Sequence, residues 1–222
     1  MTETAPNDLP DLPEVLITDG DLWVISKPAG WIVHPSNDPT MLDLITWATE
    51  TLPEVHGIAP IHRIDRHTSG LVLMSPDPAL RADLGSLFAH DKVRKEYRAL
   101  VYGPAPPAGR LDAPLKDARR GKPLEAITEF QTLETFVSCS YLSVHPLTGR
   151  KHQIRRHLHG IDHAIVGEKR YRPRKFLRVP GFPGRLWLHA TQLALPDGRT
   201  FSAPLPPELT EHLALLRSLD DK

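Results

Sequence analysis

Cysteine is almost missing from this chain: Cys139 is the one thiol among 222 residues. One thiol cannot close an intramolecular disulfide, which sets aside a disulfide-stapled secreted scaffold and fits a reducing cytoplasm. Cys139 falls in a strand-like stretch, where a packed structural thiol is expected in place of a nucleophile. Also lacking is any apolar run near the roughly 20 residues that span a bilayer, so no membrane partner is expected. The first residues, Met1 to Glu14, are acidic and proline-bearing, without the basic-then-apolar order of a secretory signal. Net charge is absent as well, with 27 Lys and Arg against 27 Asp and Glu. No internal repeat is visible.

What is present is an ordinary globular composition, 40% hydrophobic and 24% charged, in a length that allows one large domain or two small ones. The 23 prolines are about twice the usual share of roughly 5%, spread through the connections, and read as rigid loops. The zero net charge hides an asymmetry. Residues 1–60 hold one basic and ten acidic residues, whereas residues 150–185 hold eleven basic residues against Asp162 and Glu168. A neutral protein with one strongly basic segment is a candidate for a polyanion site on one face. The competing reading is a solvated helix face followed by a loop of incidental cations; the arginine-rich density favours phosphate.

Residues 1–13 read as a flexible tail and 14–222 as a single domain. Val15 to Ile17 and Leu22 to Ser26 form a strand pair turned at Asp19-Gly20-Asp21. Lys27-Pro28-Ala29-Gly30 breaks the chain and Trp31 to His34 resumes as a strand. Met41 to Thr51 has helical spacing. Asp77-Pro78 starts an amphipathic helix to about His90, with Leu80, Leu84, Leu87 and Phe88 on its apolar stripe. Lys95 to Val101, Ala126 to Leu133, Ser138 to His145, Trp187 to Leu195 and Thr200 to Ala203 read as strands, and Leu111 to Pro123 as an irregular basic connection. Arg150 to His159 reads as a short basic helix closed by Gly160, and Glu208 to Leu219 as a final helix. The pattern predicts an α+β fold with a mixed, mostly antiparallel central sheet and flanking helices.

The chain is organised around His62 to Leu71, HRIDRHTSGL. Asp65 stands between Arg63 and Arg66, and nearby guanidiniums favour its charged form. Thr68, Ser69 and Gly70 follow in a turn-prone run that permits close approach, and Leu71 to Met74 read as a buried strand. Taken alone, such a triplet is more often a surface ion pair. The whole string, however, resembles the signature loop of the RluA-type pseudouridine synthases, in which the aspartate is catalytic. Three further segments match that family in order: Lys95-Glu96-Tyr97; Thr148-Gly149-Arg150-Lys151-His152-Gln153-Ile154-Arg155-Arg156-His157-Leu158; and Leu186-Trp187-Leu188-His189-Ala190 with Phe201-Ser202-Ala203-Pro204. The opening Lys27-Pro28-Ala29-Gly30 and His34-Pro35 also follow the family order. The likeness spans about Val15 to Pro207.

The resemblance implies the pseudouridine synthase catalytic fold and an enzyme that isomerises a uridine of structured RNA. It implies Asp65, Tyr97 and Arg155 as catalytic residues, with Arg155 holding Asp65 ionised in a buried pair and Tyr97 stacking on the uracil. Arg63 would brace the place vacated by a flipped nucleotide. Arg66, Thr68, Arg150, His152 and Leu188 are the further candidate substrate contacts, and Ile154 joins Leu188 as a pocket wall. Breaking the N1–C1′ bond, turning the uracil and rejoining it through C5 needs one carboxylate and no redox or energy source, so no cofactor is expected. A glycoside hydrolase would want a second carboxylate to activate water, and the loop offers only Asp65.

Four histidines, His152, His157, His159 and His163, lie within twelve residues, but no cysteine or carboxylate cluster completes a tetrahedral site, so no metal is expected. Basic surface histidines near RNA are expected instead. Within the family, Arg155-Arg156-His157-Leu158 and Ala126-Ile127-Thr128 look most like the branch of tRNA pseudouridine synthase C, which favours tRNA as partner and leaves rRNA open. The short stretch before the first strand leaves no room for an RNA-binding S4 domain; a cytoplasmic monomer is expected. Departures fall at Ala164, Glu168 and Arg172, where the family pattern reads proline, aspartate and glycine. The alternative function is a non-catalytic RNA-binding domain using the basic 150–185 face; a nucleoside hydrolase comes third.

Overall fold

The computed structural model describes residues 11–116, 121–175 and 177–220. In chain order the elements are β1 (Glu14–Asp19), β2 (Leu22–Lys27), α1 (Leu44–Thr51), β3 (Ala59–Pro60), β4 (Ser69–Ser75), α2 (Pro78–Ala89), β5 (Arg94–Tyr102) and β6 (Ala108–Leu111). There follow β7 (Leu115–Lys116), β8 (Pro123–Leu124), β9 (Thr128–Thr135), β10 (Cys139–Pro146), α3 (Gln153–Gly160), β11 (Leu188–Ala194), β12 (Thr200–Ser202) and α4 (Pro207–Asp220). The main sheet runs β1-β2-β4-β11-β5-β10-β9-β6, with β3 on β4 and β12 on β11. Every pairing is antiparallel except β4 with β11. This is the expected α+β architecture with a mixed, mostly antiparallel sheet.

Alternation along β4 explains the layers. Val72 and Met74 join Ile25, Leu44, Trp47 and Ala48 in the core under α1, while Leu71 and Leu73 join Leu22, Val24, Leu84 and Phe201 in the core under α2. Successive strand side chains point to opposite faces, so a strand covered on both sides must be apolar throughout. The larger core, around Leu100, Leu142, Leu158, Trp187 and Leu213, packs α3 and α4 on β5 and β10. The Trp187 indole donates to His212 Nδ1 (3.0 Å), and His212 Nε2 donates to the Pro180 carbonyl (2.8 Å), which pins α4. Helices α1 and α2 start where side chains satisfy the first amides: Asp43 accepts from Ile45 and Thr46, and Asp77 from Ala79 and Leu80.

Several expectations need correction. Trp31 to His34 is not a strand; it contributes one bridge, Ile32 to Asp43. Trp31 turns inward, and its indole donates to the Asp11 carbonyl (2.9 Å), so the expected tail is tied down from that residue; 1–10 lie outside the described residues. The 111–123 connection carries the short β7–β8 pair, although 117–120, with two of its arginines, lie outside the described residues. Gly160 does not close α3 as a left-handed cap, because that conformation falls at Asp162 (φ 64°). Among the described residues no helix is long and apolar enough to cross a membrane.

Candidate active site

The signature loop joins β3 to β4, and its own side chains fasten it. His62 stacks on Phe88 (4.2 Å between centroids) and its Nε2 accepts the Leu73 amide (3.1 Å). Burial pushes this imidazole down to about 3, so it is a neutral anchor. Ser69 receives a hydrogen bond from Arg185 Nη2 (2.7 Å) and donates to His189 Nδ1 (2.9 Å), whose Nε2 faces the Ala203 carbonyl at 3.4 Å. Gly70 has φ 112°, and a Cβ there would stand 2.1 Å from the Ala190 carbonyl oxygen. The close approach foreseen for this glycine is therefore strand on strand, where β4 meets β11 in parallel.

The opening Lys-Pro-x-Gly turn is stitched to the same loop. Lys27 is fully buried and its ammonium meets three carbonyls, Pro28 (2.8 Å), Trp31 (2.8 Å) and Arg66 (3.2 Å). Burial, then the charge of Arg185, pull its pKa down to about 7, with Asp65 opposing. Arg66 Nε donates to the Gly30 carbonyl (3.0 Å) and the Gly30 amide to the Arg66 carbonyl (2.8 Å). Sequence order held no sign of this clamp, because its partners are separated by 36 to 39 residues.

Asp65 is thus held at the floor of a cavity of about 320 Å³, within the usual range for a small-ligand site. Its Oδ2 lies 3.3 Å from Arg155 Nη1 and its Oδ1 3.7 Å from His152 Nε2. Tyr97 rises from β5 into the same space, with Ile64, Ile154 and Leu188 as apolar walls. Burial first, and then Asp65, raise the Tyr97 phenol well above its usual value, so it keeps its proton. The ring also packs against two cores, so the expected packing role and the cavity-lining role coexist. Arg63, Thr68 and Arg150 line the cavity too, although the Arg150 guanidinium is drawn to the Glu125 carbonyl (2.9 Å). Arg66 is the one candidate that lies outside this cavity; it lines a neighbouring one.

The Arg155 partnership is broader than expected. Its Nε and Nη2 make a bidentate pair with Glu168 (2.7 and 2.8 Å), leaving only Nη1 for Asp65. Burial would raise the Glu168 carboxyl, but Arg155 and the amides of Arg170 (2.8 Å) and Tyr171 (3.2 Å) outweigh it and hold the group below its usual range. A two-point fork fixes the guanidinium plane as one contact cannot. The pair foreseen between Arg155 and Asp65 is one arm of a triad. Asp65 is also less buried than the expectation required, its side chain being 24% exposed against 7% for Arg155.

His152 and Tyr171 complete the surround. His152 precedes α3 with φ 55°, a left-handed conformation that L residues seldom adopt outside special sites. Its Nδ1 meets the Tyr171 hydroxyl (3.0 Å). Burial, opposed by Asp65, lowers its pKa, so the ring is neutral near pH 7. Helix α3 gains its start from Gln153, whose Oε1 accepts from Thr148 Oγ1 (2.7 Å) and the Arg150 amide (3.0 Å). The sequence reading missed Glu168 and Tyr171 as site residues; the departure at Glu168, one of two acids in the basic segment, was the available signal.

The expectation of surface histidines needs correction. His157 is buried, with Nδ1 on Thr128 Oγ1 (2.9 Å) and Nε2 on the Ala113 carbonyl (2.9 Å), and His163 Nδ1 meets the Tyr102 carbonyl (3.0 Å). Among the described residues no three His, Cys, Asp or Glu side chains form a metal-sized group.

A sheet of this topology with one carboxylate, one tyrosine and three arginines in a cavity beside a basic segment fits an enzyme that acts on RNA. Residues 21–160 match the profile described as RNA pseudouridylate synthase. The chain is 33% identical to an uncharacterized RNA pseudouridine synthase of Mycobacterium bovis, over 97% of this chain and 76% of that one. It is 31% identical to the ribosomal large subunit pseudouridine synthase D of Zymomonas mobilis, over 77% and 60%. The solved structure of human RNA pseudouridylate synthase domain containing 4 superposes with a TM-score of 0.78 at 28% identity, covering 91% and 92%. The chain belongs to the RNA pseudouridine synthase family, whose members are isomerases.

Proposed function

We propose that Asp65 is the catalytic carboxylate of this synthase and that its substrate is a uridine flipped out of structured RNA into the 320 Å³ cavity. One observation carries the reading: among the residues lining that cavity, Asp65 is the only carboxylate. A water-activating hydrolase needs a second one; an isomerase that returns the sugar to the same uracil does not. Asp65 acts at the sugar or the base to release N1 from C1′, the uracil turns, and C5 bonds to C1′. The C5 proton then leaves and N1 regains one, so atoms balance without a cofactor. Arg155 and the neutral His152 orient Asp65, Tyr97 stacks on the uracil with its hydroxyl near C5, Arg63 braces the vacated stack, and Thr68, Leu188 and Ile154 shape the walls. A monomer acting in the cytoplasm is part of the same proposal.

The finer likeness of 126–128 and 155–158 to tRNA pseudouridine synthase C favours a tRNA uridine. A second target, ribosomal RNA, is favoured by the relatives named for the large subunit. Tritium release from RNA carrying 5-tritiated uridine tests the chemistry. The wild type is expected to free the label without strand loss or free uracil, and Asp65→Asn to lose about 10²–10⁴-fold in rate while still binding RNA. Label retention by the wild type would leave an RNA-binding domain, and free uracil would indicate a hydrolase. Mass-spectrometric mapping of pseudouridines in tRNA and rRNA from a deletion strain separates the two targets.

A further inference from the structure

Beside the cavity that holds Asp65 lies a second one, of about 450 Å³. His152 and Arg155 are common to both. Arg66, Lys169 and Arg170 line it too, with His67 among them. Its one carboxylate, Glu168, is already taken by Arg155 and by the amides of Arg170 and Tyr171. Among the described residues, no ion pair includes Arg66, Lys169 or Arg170. Two of these cations are nonetheless positioned: Arg66 by its bond to the Gly30 carbonyl (3.0 Å), and Arg170 by its guanidinium 5.8 Å from the Tyr171 ring centroid. The crowding is felt by His67, whose imidazole is pushed below its usual value by burial and then by Arg66, Arg155, Lys169 and Lys27.

We propose that this second cavity seats the phosphodiester of a nucleotide flanking the target uridine. The proposal rests on the synthase reading above. Guanidinium and ammonium groups without carboxylate partners suit a phosphate, which they meet with charge-assisted hydrogen bonds. No Phe, Tyr or Trp lines the cavity, so it offers no platform for stacking a second base. Sharing His152 and Arg155 with the first cavity puts a bound phosphate and a flipped base on two sides of one wall, as neighbouring groups on one RNA strand require. A free phosphate would gain nothing from that adjacency. The loop that supplies Lys169 and Arg170 also supplies Glu168, so the residue that sets the Arg155 plane and the cations for the backbone are positioned together.

The test is a two-by-two cycle read in KM. The protein is wild type or Lys169→Ala/Arg170→Ala. The RNA is a synthetic hairpin around the mapped uridine, with the flanking phosphates native or replaced one at a time by uncharged methylphosphonate. The double variant is expected to raise KM roughly tenfold, one methylphosphonate position to do the same, and the two together to add little beyond either. Arg170→Lys, which keeps the charge, restores part of the loss. Fully additive losses, or an unchanged KM in the double variant, overturn the proposal. So does saturation of the cavity by inorganic phosphate, seen as a thermal shift lost in the double variant, when the RNA cycle stays additive. A hairpin with an all-uridine loop, its phosphates native or all methylphosphonate, runs the same cycle in Kd without turnover. Absence of pseudouridine with the wild type therefore sinks the synthase reading and leaves the test of the cavity standing.

Discussion

In the loop 62–71, side chains are fixed from inside the fold: His62 on Phe88, Ser69 between Arg185 and His189, and Gly70 against the β11 backbone. In the segment 150–185, the cations divide. Arg155 and Arg185 are turned inward, to Glu168 and to Glu208 (2.8 Å), while Lys151, Lys169, Arg170, Arg172, Arg174, Lys175 and Arg178 remain exposed. Of the exposed set, Arg174 has a carboxylate at 3.2 Å, Asp162, itself in solvent. Like charges close in sequence therefore serve unlike purposes. Those that an acid claims fasten the loop of Asp65, Arg155 at Asp65 itself and Arg185 at Ser69, and those left in water are free of such ties.

The sharpest way to break this contrast is Arg155→Ala. It strands a buried Glu168, a type of change that typically costs about 3–5 kcal/mol, which at roughly 2–4 °C per kcal/mol for a chain of this size is a Tm loss of about 6–20 °C. Turnover is expected to vanish with it. The paired change Arg155→Met/Glu168→Leu should recover much of the Tm and none of the turnover, separating stability from chemistry. A wild-type Tm in Arg155→Ala would show that the inward and outward arginines do not differ.

Tyr97→Phe sharpens the chemical side. It keeps the ring in its two cores and removes only the hydroxyl, so KM for RNA should change little while C5 proton loss slows by about 100-fold. Single-turnover tritium release reads this step. Release at the wild-type rate would reduce Tyr97 to packing.

Charge reversal at Arg170, Arg172, Arg174 and Lys175 probes the outward set. Every RNA phosphate deprived of its cation should flatten the log Kd against log salt slope by roughly 0.7–0.9. Filter binding across low to above-physiological salt measures it. Equal affinity at every salt concentration would return these residues to a solvated loop.

The last effect appears only in acid and concerns the buried His189. Burial holds His189 down to about 4, whereas the unfolded chain takes up that proton near the ordinary value of 6.5. The unfolded state therefore binds more protons between these values. The stability is complete above pH 6.5 and declines as the pH falls toward 4, by at most about 1.4 kcal/mol per unit. Denaturant midpoints over that range check it, and His189→Gln should flatten the profile.

Much of the fold was legible because its signals are local. The Asp77-Pro78 start of α2, the Asp19-Gly20-Asp21 turn and the apolar run of β4 need only neighbours to read. Asp65, Tyr97 and Arg155 were legible through likeness to a family, and the cavity does bring them together. What escaped reading depends on partners remote in the chain. Trp31 looks like a strand residue until Asp11 accepts its indole, and His157 looks like a surface base until Thr128 and Ala113 enclose it. Glu168 was read only as a departure from the family's aspartate, since nothing local says that Arg155 needs a second carboxylate to hold its plane.

The parallel seam between β4 and β11 has a consequence for how the molecule is made. Strand β4 is finished at residue 75, but the neighbour that fits against Gly70 begins only at Leu188. A ribosome delivers the chain from its first residue onward, so β4 waits with one edge unsatisfied while 76–187 are synthesised. The loop bearing Asp65 can be complete in sequence long before it is complete in space. Its last support, the Ser69 contact with His189, arrives only when β11 slots between β4 and β5 and closes the two halves of the sheet.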